Sequence, residues 1–201
     1  MSLRTDLSII SGWIRPGSRV LDLGCGDGTL LRYLQENRQV TGYGLEIDDD
    51  NVVRCIKSGV NVIQSDLDAG LPDFRANSFD YVIMTQTLQA VHFPDRLLKE
   101  MLRLGREGIV NFPNFAHWPN RLQVALGGKM PMSRTLPNPW YSTPNIHLCT
   151  VTDFETLCRE LDIHILERNL VNNDHSSTIK SNFIANLLGK NALYRFRRDG
   201  N

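Results

Sequence analysis

The residues best suited to chemistry lie at positions 20–28, where an aspartate inside an apolar run is followed by three closely spaced glycines. The stretch reads Val-Leu-Asp-Leu-Gly-Cys-Gly-Asp-Gly. Gly24, Gly26 and Gly28 allow a tight turn and let the backbone approach a ligand where a Cβ would collide. Apolar residues at helical spacing follow from Thr29, so the turn opens a helix whose first N–H groups are free. A strand, a glycine turn and a helix form the first half of a nucleotide-binding unit; an ordinary strand–helix turn is the simpler alternative.

The positions of the third glycine and of the aspartate narrow the class of ligand that the turn could bind. A dinucleotide fingerprint needs a glycine where Thr29 stands, which disfavours a dehydrogenase. Asp22 lies close to where a pyrophosphate would place its negative charge, so a cationic or zwitterionic ligand suits the site better. The turn resembles the first motif of class I S-adenosylmethionine-dependent methyltransferases, whose ligand carries a sulfonium and an α-amino group. We therefore predict S-adenosylmethionine or S-adenosylhomocysteine as the cofactor, in contact with Asp22, Gly24, Cys25 and Gly26.

Further cofactor candidates follow the next strands of the chain. Glu46 stands twenty residues after Gly26, where an acid accepts hydrogen bonds from ribose hydroxyls. In the methyltransferase pattern an acid after the third strand meets the adenine amino group, the next residue packs on the ring, and the residues after the fourth strand approach the methionine end. One acid at a strand end is usually a helix cap, but three successive strand ends favour binding. The remaining candidates are Glu46, Ile47, Asp66, Leu67, Thr85 and Gln86.

Catalytic groups are harder to identify in this chain. Methyl transfer needs positioning of an already activated carbon, plus a base when the acceptor holds a proton. His92, just beyond the fourth strand, and His147 are the candidate bases, with His117 a third. A lone histidine is more often a packed or capping residue. The sequence therefore leaves open whether the protein is an enzyme.

Composition limits the partners and the compartment. The 22 basic and 22 acidic side chains balance, which disfavours a nucleic-acid binder. No segment approaches the roughly 18 apolar residues of a membrane span. Residues 1–6 lack the layout of a secretory signal, and the four cysteines show no metal-ligand spacing. We expect no metal, no membrane association, reduced cysteines and a cytoplasmic location.

The order of apolar runs predicts the elements that position these residues. Strands at 20–23, 40–45, 60–64, 79–84 and 109–112 alternate with helical patterns, which implies a parallel sheet covered on both faces. We therefore predict a single α/β domain over residues 1–201: a Rossmann-like class I methyltransferase domain with a mostly parallel, twisted sheet and an antiparallel last strand. Residues 113–147 are rich in proline and aromatic residues, and we expect them to be an irregular lid or partner-docking segment.

A second group of motifs is more specific than the glycine turn. The chain reads Phe-Pro-Asn-Phe at 112–115, Gly-Lys-Met-Pro at 128–131 and Thr-Pro-Asn-Ile-His-Leu-Cys at 143–149. Together with the turn at 20–28, these motifs closely resemble the bacterial MetW family of methionine biosynthesis proteins over about residues 3–197. The resemblance implies a methyltransferase-like fold in the bacterial cytoplasm and a role with homoserine O-acyltransferase (MetX).

Two functions remain open at this point. In the first, the protein is a partner or regulator of the acyltransferase, and bound S-adenosylmethionine reports methionine supply. In the second, it is a true methyltransferase acting on a small molecule, with residues 113–147 closing over the acceptor and His92 or His147 assisting.

Overall fold

A computed structural model describes residues 4–133, 135–172, 175–177 and 181–198. Its described residues form one eight-stranded sheet flanked by helices, so both ends of the predicted 1–201 domain lie outside them. The strands are β1 (Arg19–Leu23), β2 (Thr41–Glu46), β3 (Val62–Gln64), β4 (Phe79–Thr85), β5 (Gly105–Pro113), β6 (Ile163–Asn172), β7 (His175–Ser177) and β8 (Asn191–Arg198). The helices are α1 (Thr5–Trp13), α2 (Thr29–Arg38), α3 (Asp49–Lys57), α4 (Pro94–Leu104), α5 (Trp118–Gly127), α6 (Val151–Glu160) and α7 (Asn182–Leu188), with a 3-10 turn at Leu67–Ala69.

The strand order is β3-β2-β1-β4-β5-β8-β6-β7. Neighbouring strands from β3 to β5 pair in parallel, and β8 lies antiparallel between β5 and β6. This arrangement confirms the predicted fold class, including the antiparallel last strand.

The strand order reverses beside β1, and this reversal positions the ligand site. The strand β1 pairs with β2 on one side and β4 on the other, with Asp22 level with Ile83 of β4. The helices that follow β1 and β4 therefore leave the sheet in different directions. A crevice opens between the carboxyl ends of such strands, which is where open α/β sheets bind their ligands.

Alternation along the strands divides the core into two layers. On one face, Val20 and Ile83 pack with residues of α1 and α2; on the other, Leu21 and Met84 pack with residues of α4 and α6. Because successive side chains point to opposite faces, Asp22 shares the face of Val20, two residues before it. The aspartate therefore points toward the layer of α1 and α2.

The segment predicted to be irregular contains a helix. The ten-residue helix α5 begins at Trp118, with a proline in its first turn, and ends before Gly128, whose φ is +59°. Proline is tolerated in a first helical turn, and glycine is the usual residue at a left-handed helix end. Of the residues in α5, only Asn120 is buried. The apolar side chains of this helix therefore point to solvent, whereas those of most helices point to the core.

Candidate functional site

The glycine turn has the backbone that its sequence predicts. Gly24, Gly26 and Gly28 have φ values of +71°, +57° and +76°, a region that side chains disfavour. A Cβ on Gly24 would lie 2.5 Å from Oγ1 of Thr87, whereas a Cβ on Gly26 would have no atom within 4 Å. Gly24 is therefore required for packing against the end of β4, and the space beside Gly26 is open to a ligand.

Asp22 is a buried carboxylate with an unused acceptor. Its residue is 1% exposed, and Oδ1 has no hydrogen-bond partner among the described residues. Burial, together with the nearby charge of Glu46, raises the pKa of Asp22 to about 7. An unpaired buried carboxylate is costly, and a cationic group is the partner that best offsets that cost. The site thus fits a ligand with an ammonium or sulfonium group.

Glu46 is held rigidly behind the turn. Its Oε2 accepts a hydrogen bond from the Gly26 N–H at 2.7 Å, and its Oε1 accepts from the N–H groups of Ile47 and Asp48 at 2.9 and 3.0 Å. Each carboxylate oxygen has about two acceptor positions, so Oε2 retains one for a hydroxyl. Glu46 therefore both shapes the glycine turn and can bind a ribose.

The Cys25 thiol faces the protein interior. Its Sγ lies 3.8 Å from the Sγ of Cys55, and a Cβ on Gly44 would collide with the Cys25 side chain. Burial raises the pKa of Cys25 well above its ordinary value, so the thiol is a poor nucleophile. Cys25 therefore borders the ligand space with its backbone and packs with its side chain.

A cleft of about 920 Å³ runs from the carboxyl ends of β1 and β4 along helix α2. Six of the ten predicted cofactor residues line this cleft: Asp22, Gly24, Cys25, Gly26, Thr85 and Gln86. The two strand ends therefore bring together the glycine turn and the predicted methionine end of the site.

The other predicted cofactor residues lie along the sheet edge, outside the cleft lining. Glu46 supports the turn from behind. Ile47 is 61% exposed, and the Asp66 carboxylate caps the 3-10 turn by accepting from the Asp68 N–H at 2.9 Å. Leu67 is partly buried against the core. The adenine side of the predicted site is thus an open edge rather than an enclosed cavity.

A buried polar chain that sequence reasoning missed connects α1 to the end of β4. Nε2 of Gln86 donates to Oδ1 of Asn111 at 3.1 Å, and Nδ2 of Asn111 donates to Oδ2 of Asp6 at 2.7 Å. The guanidinium of Arg4 pairs with Asp6 at 3.0 Å and borders the cleft. Gln86 has a φ of +58°, and its hydrogen bond to Asn111 holds it in this strained conformation.

The two predicted bases lie near each other but outside the cleft lining. Oδ2 of Asp68 is 2.7 Å from Nδ1 of His92, and Oδ1 accepts from the His92 backbone N–H at 2.8 Å. Burial raises the pKa of Asp68, but these hydrogen bonds outweigh it and hold the pKa below its ordinary value. Nε2 of His147 lies 3.3 Å from the His92 carbonyl oxygen. His117 immediately precedes α5 without a capping hydrogen bond from its side chain, and burial, reinforced by the charge of Lys190, lowers its pKa.

Neither a metal cluster nor a membrane-spanning helix is found in the part of the chain that the structure describes. Among the described residues, no cluster of three or more histidine, cysteine, aspartate or glutamate side chains has the geometry to hold a metal ion. Within that same part of the chain, no helix has both the length and the apolarity needed to cross a bilayer.

One sequence relative extends over almost the whole chain and another over about half of it. The bifunctional methionine biosynthesis protein MetXA/MetW of Rhodopirellula baltica is 35% identical over 208 residues, which is 99% of this chain and 33% of that protein. Nocamycin O-methyltransferase of Saccharothrix syringae is 32% identical over 120 residues, covering 52% of this chain and 42% of that enzyme. The chain therefore spans less than half the length of these curated relatives.

Solved structures share the architecture at low sequence identity. An S-adenosylmethionine-dependent methyltransferase from Mesorhizobium loti matches with a TM-score of 0.68 and 18% identity, covering 95% of this chain and 96% of that one. At this identity the match shows the fold alone. The sequence model of the family described as methionine biosynthesis protein MetW matches residues 4–196. The chain therefore belongs to the MetW family.

Proposed function

We propose that this protein is an S-adenosylmethionine-binding partner and regulator of a homoserine O-acyltransferase of the MetX type. The observation that carries the proposal is the Rhodopirellula relative, whose name assigns a MetXA and a MetW activity to one polypeptide. Joining two proteins in one chain raises the effective concentration of each for the other, and it preserves function when the two already work together.

The ligand part of the proposal rests on the cleft. Asp22 has an orphan carboxylate oxygen suited to the α-amino group of the ligand, and Glu46 has a free acceptor position suited to a ribose hydroxyl. We assign Asp66 and Leu67 to the adenine, and Thr85 and Gln86 to the methionine end. These residue types favour a zwitterionic nucleoside over a dinucleotide, because a buried carboxylate would repel a pyrophosphate.

The groups that line the cleft support a regulatory role. No histidine is among its described lining residues, and the Cys25 thiol faces the protein interior, where burial raises its pKa. The described acids of the lining are Asp22, Asp27 and Glu36, and we assign Asp22 to the ligand, so the cleft offers neither an imidazole nor a thiolate to deprotonate an acceptor. S-adenosylmethionine is made from methionine, so a protein that binds it beside an early enzyme of methionine synthesis is suited to feedback control.

We assign this role to the bacterial cytoplasm. All four cysteines are free thiols, and Cys25 and Cys55 remain unbonded although their sulfur atoms are 3.8 Å apart. Free thiols this close together are expected in a reducing compartment.

The test combines binding with an acylation assay. The acyltransferase of the same organism is purified alone and together with this protein, and homoserine acylation is measured with and without S-adenosylmethionine. We expect a stable complex whose acylation rate changes when S-adenosylmethionine is added, and no such response with Asp22→Asn. An acyltransferase that neither binds this protein nor changes its rate would refute the partner role.

A second candidate function is small-molecule methyl transfer. The Asp68–His92 pair favours it, because a carboxylate bonded to Nδ1 orients an imidazole to accept a proton at Nε2. The test incubates the protein with S-adenosylmethionine and a panel of acceptors and measures S-adenosylhomocysteine. His92→Gln should abolish any turnover while leaving cofactor affinity unchanged. A failure to accumulate product across the panel, despite cofactor binding, would eliminate this alternative.

A further inference from the structure

The helix α5 and the loop after it expose an unusual number of apolar side chains. Trp118, Leu122 and Leu126 recur at four-residue spacing and form a stripe along one side of the helix. They are 47%, 46% and 83% exposed. Met130 and Met132, which are also exposed, follow in the loop. We call these five residues the α5 face.

The loop is fixed to the helix by a pair of hydrogen bonds. Nε2 of Gln123 donates to the Met132 carbonyl oxygen at 3.2 Å, and the Met132 N–H donates to Oε1 of Gln123 at 3.0 Å. The methionines are thereby held beside the helix. A rigid stripe with i and i+4 anchors is typical of helices that insert into an apolar groove, and methionine adapts to irregular partner surfaces.

The same region has a distinctive charge pattern. No acidic residue occurs between Glu107 and Asp153, although the chain as a whole carries 22 acids. The only charged residues in that interval are Arg121, Lys129 and Arg134. Arg121 and Lys129, which the structure describes in α5 and the loop after it, are both basic, so a partner that is apolar at its centre and acidic at its rim complements this region.

Two other occupants of the α5 face fit less well. A second copy related by two-fold symmetry would place the same positive charges near each other, with no acid from this interval to compensate. A lid over the cofactor would need to reach the cleft, but its described lining residues include none from 113–147. An external protein partner remains.

We propose that the α5 face is the docking surface for the homoserine O-acyltransferase. This inference rests on the proposed function, because the acyltransferase is the partner assigned there. The fused relative matches 99% of this chain, so the aligned region includes the segment that carries the face. Trp118 is the kind of anchor that dominates binding energy at the centre of an interface, and Leu122 and Leu126 enlarge the apolar area buried around it.

The test uses the full chain and two matched variants. Leu122→Asp/Leu126→Asp places charges in the centre of the face, and Phe183→Asp makes the same change at a 72% exposed aromatic residue of α7. Affinity for the purified acyltransferase is measured by titration calorimetry, and S-adenosylmethionine affinity and thermal melting verify that each variant is folded. Leu126→Asp alone, at the most exposed position, serves as the milder second variant.

We expect wild type and Phe183→Asp to bind equally, and the double variant to lose at least about 30-fold in affinity. Equal binding by the double variant would overturn the assignment of the α5 face as the docking surface and leave the proposed partnership with the acyltransferase intact. Absence of binding by wild type would instead overturn the partnership and this inference together. A wild-type dimer that the double variant dissociates would assign the face to a second copy and also overturn the inference.

Discussion

At the scale of single residues, burial of the unpaired Asp22 carboxylate lowers the free energy of unfolding of the protein when no ligand is bound. Its orphan oxygen and raised pKa both show that the charged form is poorly stabilised by the surrounding protein. Functional sites commonly keep such groups, because optimising them for stability would remove their affinity for the ligand. Removing the charge of Asp22 should therefore raise the stability of the protein measurably.

We predict that Asp22→Asn raises the melting temperature of the ligand-free protein and abolishes S-adenosylmethionine binding. An acid whose folded pKa is raised loses stability as pH increases from its unfolded pKa, near 4, through about 7. The free energy of unfolding of Asp22→Asn should therefore exceed that of wild type by about 1–3 kcal/mol at pH 8, and the difference should vanish toward pH 4. Calorimetric melts at both pH values test this, with Asp73→Asn, an exposed acid, as the control. A variant less stable than wild type at pH 8 would contradict the prediction.

Gly24 and Gly26 should respond differently to the same substitution. A Cβ on Gly24 meets Thr87 at 2.5 Å, so Gly24→Ala should destabilise the fold by about 2–4 kcal/mol through overpacking and strain. A Cβ on Gly26 meets no atom within 4 Å, so Gly26→Ala should cost only about 1–2 kcal/mol of left-handed strain but reduce ligand affinity by entering the ligand space. Urea unfolding and ligand titration separate the two effects. Equal destabilisation by both variants would show that local backbone strain outweighs the contact with Thr87.

Local spacing explains which site residues the sequence could predict. Asp22, the three glycines and Glu46 are defined by their distance from a strand end, and the structure places them around one turn. Asp6 could not be found in this way, because its partner Asn111 is 105 residues distant in sequence. A polar residue near the start of a helix is usually a cap or solvent-exposed, so nothing in the sequence distinguishes Asp6 as buried.

At the scale of elements, the polar chain through Asn111 attaches α1 to the centre of the sheet. Asn111 is fully buried on β5 and bonds to Asp6 of α1 and to Gln86 after β4. One amide thus determines both the position of the N-terminal helix and the conformation of a residue that lines the cleft.

Asn111→Ala should therefore weaken stability and binding together. Removal of the amide leaves the buried carboxylate of Asp6 without this donor, which we expect to cost about 2–3 kcal/mol. Gln86 also loses its anchor, so affinity for S-adenosylmethionine should decrease. Chemical unfolding and calorimetric titration provide the measurements, and Asn61→Ala, at an exposed position, provides the comparison. Unchanged ligand affinity in a destabilised variant would show that Gln86 does not depend on this contact.

The elements differ in how well the sequence predicts them. Strands β1 and β4 agree with prediction to within one residue at each end, because their apolar patterns are buried. Helix α5 was not predicted, since its apolar residues point to solvent and its flanking prolines and glycines resemble those of a loop. An inward-facing pattern is the signal on which helix prediction depends.

At the scale of the whole molecule, the sheet depends on a strand that comes late in the chain. The strand β8 pairs with β5 on one side and β6 on the other, and Ala192, Leu193, Tyr194 and Phe196 are fully buried. The alternation of strands and helices predicted a parallel sheet, and the last strand was expected to be antiparallel. Its place between β5 and β6 depends on pairings across about 80 residues, which no local pattern encodes.

Truncation after Gly189 should consequently prevent folding of the whole domain, although it removes none of the residues assigned to the ligand. Truncation after Arg198 retains all of β8 and should melt at the wild-type temperature. Circular dichroism and solubility after expression distinguish the two. A soluble, ligand-binding product of the shorter truncation would show that the parallel strands form an independent unit.

The central position of β8 also has a consequence for synthesis of the protein. The ribosome completes β5 long before β8. The edge of β5 therefore stays unpaired in the nascent chain, and the apolar side chains of Ile109, Val110 and Phe112 lack the strand that covers them in the folded protein. Exposed strand edges invite pairing with other chains. The sheet can close only after residues 191–198 have left the ribosome exit tunnel, so until then the unpaired edge of β5 is open to chaperones that bind nascent chains.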